Sequence, residues 1–127
     1  MKNQRLAKNK HFLCLLSDCK KIQRRAILSN ASRDQIYSIC ECILNVCNGN
    51  LPLDSANFKK LRPFRSHFRT ILDKRVSLRK RKQTLVQHGG FLQFLIPAVI
   101  SGLAQIISTA INSNKNAFRD KDDASAV

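Results

Sequence analysis

Apolar residues return at three- and four-residue steps along most of the chain, the spacing of amphipathic helices. Leu6, Phe12, Leu13, Leu15, Leu16, Ile22, Ala26 and Ile27 recur between basic residues and predict one helix from about Gln4 to about Leu28. Ser29, Asn30 and Ala31 break the pattern. Ser32, followed three residues later by Gln35, supplies the capping-box pair for a second helix. Ile36, Ile39, Cys40, Ile43, Leu44 and Cys47 form its stripe, which places Cys40 and Cys47 inward. It ends at Asn48-Gly49-Asn50, where glycine can take the left-handed C-cap conformation.

Pro52 and the Asp54-Ser55 pair open a third helix, striped by Phe58, Leu61, Phe64, Phe68, Ile71 and Leu72. Pro63 lies inside that stripe, removes a backbone donor and predicts a kink near Arg62 or a split into two helices. A short helix from Ser77 to about Gln87 follows, and Gly89-Gly90 is expected to end it. From Phe91 to Ile111 twenty-one residues pass without a charge, long enough to cross a bilayer as a helix. Asn112 to Val127 is polar and reads as a disordered tail.

The expected fold is all-α: a small bundle of three to four helices, then a separate C-terminal hydrophobic helix and the disordered tail. Its parts are a helical hairpin over residues 1–53, a basic helical segment over 54–88, a hydrophobic segment over 91–111 and a polar tail over 112–127. A chain of 127 residues has room for one such core.

Charge changes the picture. The formal net charge of +15 works against compaction and calls for a polyanionic partner, nucleic acid first and an anionic membrane second. Lys59, Lys60, Arg62, Arg65, Arg69, Lys74, Arg75, Arg79, Lys80, Arg81 and Lys82 are opposed over their span by Asp73 alone. That density suits phosphate contacts with counterion release, whereas a merely solvated helix face mixes both signs. The cluster from Lys74 to Lys82 also reads as a nuclear-localisation signal. No base-reading motif accompanies it, and Phe58, Phe64 and Phe68 sit at core spacing.

Cys14, Cys19, Cys40, Cys42 and Cys47 match neither a zinc framework nor a redox motif, and Met1 to Lys10 is too polar for a cleavable signal. Reduced, packed thiols in a cytosolic or nuclear setting are expected, with no metal and no cofactor. His11, His67 and His88 are scattered among basic residues, and Cys42 has no base, so no enzyme is expected.

At Gln87-His88-Gly89-Gly90-Phe91-Leu92-Gln93-Phe94-Leu95-Ile96-Pro97 the basic segment passes through two glycines into the hydrophobic one. The passage resembles the C-terminal part of the adenovirus late core protein mu precursor. It is also similar to small proteins of Polinton or Maverick elements and adintoviruses. The closest likeness covers about Arg75 to Ile111. The resemblance implies a basic region that condenses packaged viral double-stranded DNA, in the virion and the host nucleus. It also implies a viral cysteine protease that cleaves after Gly89-Gly90, before Phe91. Gln87 stands where that protease usually meets Met, Ile or Leu, and the alternative use of the glycines is a helix-breaking hinge.

Three uses are open for the hydrophobic segment, whose apolar positions are Phe91, Leu92, Phe94, Leu95, Ile96, Val99, Ile100, Leu103, Ile106 and Ile107. It can be a membrane anchor, a membrane-active peptide, or a helix buried against other copies or capsid proteins. The leading expectation is a viral core or minor structural protein that binds DNA through the basic segment. The alternative is a membrane-anchored or membrane-active protein whose basic stretch binds anionic lipids.

Overall fold

In the computed structural model, residues 2–49 and 53–102 are described, and they form helices with no strand among them. The predicted first helix is three: α1 (Lys2–Lys8), α2 (Lys10–Asp18) and α3 (Lys21–Ser29). Asn9 makes the first break. Its side-chain amide donates to the Arg5 carbonyl at 2.9 Å and to Asp34 Oδ2 at 2.9 Å, tying the bend to a distant helix. Cys19 and Lys20 make the second, with extended backbone and a Lys20 N–H bonded to the Gln23 side chain at 3.0 Å. The three helices bury Leu6, Leu13, Leu16 and Leu28, while Leu15 and Ile22 remain 54% and 83% exposed.

Helix α4 (Arg33–Cys47) starts where predicted. Gln35 N–H donates to Ser32 Oγ at 3.1 Å, and Ser32 N–H donates to Gln35 Oε1 at 2.8 Å, closing a reciprocal capping box. It ends at Gly49, whose φ of 70° requires the freedom of glycine. Contacts with α1 on one side and with later helices on the other bury more than one stripe. Cys40 is buried as expected and Cys42 is fully buried as well, whereas Cys47, in the last turn, is exposed rather than inward.

Asp54 caps α5 (Ser55–Leu61) by accepting from Asn57 N–H at 2.8 Å. Pro63 splits the next stretch as expected, since Arg62–Phe64 forms a 3-10 turn before α6 (Arg65–Leu72). Ser77 caps α7 (Leu78–His88), which packs against α3, α4 and α6.

The α-helix ends at His88 with Gly89 as its C-cap, as the diglycine implied. The chain nevertheless stays helical: Gly89–Phe91 is a single 3-10 turn and α-helix resumes as α8 over residues 92–102, so that Leu78–Gly102 is an interrupted helical stretch of 25 residues. Packing fixes the turn. Gly89 is buried near Leu28 and Leu92, and Phe91 is clamped by Phe68, edge-on at 4.9 Å, and Phe64 at 5.4 Å. Helix α8 then adds Leu92, Leu95, Ile96 and Val99, at i, i+3, i+4 and i+7, to the common core. The C-terminal apolar helix is thus docked on its own chain along the described residues.

Candidate nucleic-acid interface

The eleven cations predicted as a phosphate-binding set lie along α5, the 3-10 turn, α6, the 73–77 loop and the first turns of α7. Lys59, Arg62, Arg65, Arg69, Lys74, Arg79 and Lys80 are exposed and make no ion pair among the described residues. Lys60 is exposed as well, with its ammonium 5.1 Å from the centre of the Phe94 ring.

The remaining three have structural partners. Arg75 closes on Asp73 with Nε and Nη2 at 3.2 and 3.1 Å, while its backbone N–H reaches the same carboxylate at 2.9 Å. These hydrogen bonds hold the Asp73 carboxyl below the usual range and raise Arg75 above its ordinary value. Arg81 turns inward, donating to the Asp73 carbonyl at 2.9 Å and lying 5.8 Å from the Tyr37 ring centre. Lys82 Nζ donates to the Ala31 carbonyl at 2.8 Å and meets the Ser29 carbonyl at 3.4 Å, closing the C-terminal end of α3. Arg81 and Lys82 thereby bolt α7 to α3 and α4.

Asp73, the sole carboxylate within this basic span, is thus occupied by Arg75. Asp34 and Glu41 are engaged elsewhere. Arg5 bridges Asp34 and Glu41, each at 3.0 Å, and Lys8 lies 3.7 Å from Asp34. The Asp34 carboxyl is accordingly held low, first by its hydrogen bond from Asn9. Sequence reasoning missed a contribution from α3, whose exposed Lys21 and Arg25 ride on the helix that packs closely on α7. The Lys20-Lys21 and Arg24-Arg25 doublets were the available signal, hidden by more than fifty residues of separation.

The histidines are not all scattered. His67 and His88 stack with ring centroids 4.3 Å apart and planes 13° from parallel. Burial, then the neighbouring His88, lowers the basicity of His67. No group of three or more metal-ligating side chains occurs among the described residues. Burial raises the thiols of Cys40, Cys42 and Cys47, a direction that disfavours nucleophilic thiolate.

At the candidate cleavage site, Gly89 and Phe91 are buried within the 3-10 turn, so a protease would meet the Gly90–Phe91 bond only after local opening. Of the candidate membrane residues, Phe91, Leu92, Leu95, Ile96 and Val99 are in the core, and Phe94 and Ile100 pack half-buried against it. Leu103, Ile106, Ile107 and the expected tail over 112–127 lie outside the described residues. Phe68 is buried and Phe64 packs on the core, as their spacing implied, but Phe58 is 57% exposed. Comparison with family models, with curated proteins and with solved structures finds no match to this chain.

Proposed function

We propose that this chain is a core or minor structural protein of a virus or virus-derived element, and that it binds and condenses double-stranded DNA. The observation that carries the reading is the set of exposed cations Lys59, Arg62, Arg65, Arg69, Lys74, Arg79 and Lys80, which make no ion pair among the described residues, with the sole carboxylate in their span, Asp73, neutralised by Arg75. Such a surface follows the phosphate backbone without reading bases, and each contact releases condensed counterions. The likeness of the Gly89-Gly90-Phe91 passage to viral core precursors supports the assignment to a virion, with the host nucleus as the place of assembly. In that setting a viral cysteine protease is a further partner.

The test is a titration of the full chain with double-stranded DNA at several salt concentrations, with anionic vesicles as competitor. Five to seven phosphate contacts correspond to a log–log salt slope of about −5 to −6. Replacing Lys59, Arg62, Arg65 and Arg69 together with Gln should reduce the slope by about 3 to 4. An unchanged slope would move the interface elsewhere.

One observation favours a second reading, binding to an anionic membrane. The helical stretch Leu78–Gly102 is long and apolar enough to cross a bilayer, although its core side chains would first have to leave the bundle. Weak DNA binding that vesicles readily displace would favour this reading.

A further inference from the structure

A shallow apolar trough of about 810 Å³ runs along α5 and α6, on the side where the last turn of α4 passes. Its wall is aliphatic and aromatic, with Val46, Leu61, Phe68 and Leu72, and Phe58 stands at its edge 57% exposed. An exposed phenylalanine beside a hydrophobic depression has the form of an interface anchor. Arg62, Arg65 and Arg69 border the same trough. Spaced three and four residues apart across the 3-10 turn and α6, they face the same trough.

The geometry points to a docking site for an acidic amphipathic helix of a partner protein. Its apolar face would cover Phe58 and the trough, and carboxylates at i, i+3 and i+7 would meet Arg62, Arg65 and Arg69. Charge complementarity selects this occupant. A second copy of the chain would bring another +15 to a cationic rim. A nucleic acid would satisfy the arginines but would leave an aliphatic wall without a matching surface. This inference stands apart from DNA binding, although Arg62, Arg65 and Arg69 belong to both surfaces, so an acidic helix and DNA would compete for the chain.

The probe is a fluorescently labelled helical peptide with Leu and Phe on one face and Glu at i, i+3 and i+7 on its flank. A scrambled peptide of the same composition is the control, and anisotropy is read with the full chain. The amphipathic peptide should bind about tenfold or more tightly than the scrambled one. Phe58→Asp should erase that preference, and Arg65→Glu with Arg69→Glu should weaken both peptides. Circular dichroism of each variant reports whether the fold is kept, and Phe58→Ala is the milder substitute should Phe58→Asp unfold. Equal affinity for the two peptides would reduce the site to bulk charge and overturn the proposal. So would self-association of the full chain that Phe58→Asp abolishes, which would seat a second copy in the trough. A loss of single-stranded DNA binding in Phe58→Ala without any change for the peptide would likewise assign the ring to bases and overturn it.

Discussion

Phe91→Ala separates a core helix from a membrane segment. The Phe91 side chain is 0% exposed and is gripped by Phe68 at 4.9 Å and Phe64 at 5.4 Å. Truncating a buried phenylalanine removes its transfer free energy and leaves a cavity, together about 3–5 kcal/mol. Small domains hold only about 5–15 kcal/mol in all. The midpoint of urea unfolding should therefore fall by on the order of 2 M, taking a denaturant slope of about 2 kcal/mol/M. Thermal unfolding should fall by on the order of 15 °C or more. Phe58→Ala, at an exposed ring of the same type, should move stability by no more than about 0.5 kcal/mol.

The assay is far-UV circular dichroism of the full chain in detergent-free buffer, with urea as denaturant. A loss under about 1 kcal/mol for Phe91→Ala would refute the reasoning, because Phe91 and the α8 face that follows it would then be undocked and available to a bilayer. The expected result also bears on DNA-binding experiments. A chain ended at Gly90 would lose Phe91, Leu92, Leu95, Ile96 and Val99 from the core, so its failure to bind would report unfolding rather than the interface.

Three further outcomes are expected. Gly90→Ala should raise stability by about 0.4–1 kcal/mol in denaturant titration, since a Cβ there meets nothing within 4 Å and its φ is not positive; a loss would restore the hinge reading of the diglycine. Ser32→Ala should cost about 1 kcal/mol by opening the capping box of α4, and an unchanged unfolding midpoint would show that tertiary packing alone sets the helix start. His67 is less basic in the folded chain than its ordinary value of 6.5, so the unfolded chain takes up the proton at higher pH. Stability is then complete above that value and declines as pH falls through it towards the depressed one; His67→Asn should flatten the decline seen in urea midpoints.

The helical character of the chain was legible wherever a cap and a single stripe agreed. Ser32 with Gln35, Asp54 at the start of the third helix, and Pro63 each act locally, and each appears in the structure as read. The misreadings arose where distant residues decide. Helix is interrupted at Asn9, whose amide is held by Asp34, twenty-five positions away. Beyond the Gly89–Phe91 turn the chain resumes as a docked helix, with the rings of Phe64 and Phe68 against Phe91. The exposed cations of α5 and α6 were readable from composition, whereas the inward turn of Arg81 and Lys82 depends on Tyr37 and on the Ser29 and Ala31 carbonyls. The His67–His88 stack likewise needs α6 and α7 side by side, a pairing with no trace in the sequence.

Salt should act with opposite signs on folding and on DNA binding. Folding gathers the cations of α5, α6 and α7 onto one body, while Asp34, Glu41 and Asp73 are engaged with Arg5, Lys8 and Arg75. Screening this repulsion favours the folded chain, while screening the same ion pairs disfavours it. The pairs involve partly exposed side chains, for which typical contributions are about 0–1 kcal/mol each, so the repulsion of an excess of +15 is the larger effect. The unfolding temperature of the free protein should therefore rise as salt increases from low to physiological strength, over the range in which DNA affinity falls. A falling unfolding temperature would mean that the α1–α4 ion pairs outweigh the repulsion. The excess charge would then impose no strain on the free fold for DNA to relieve.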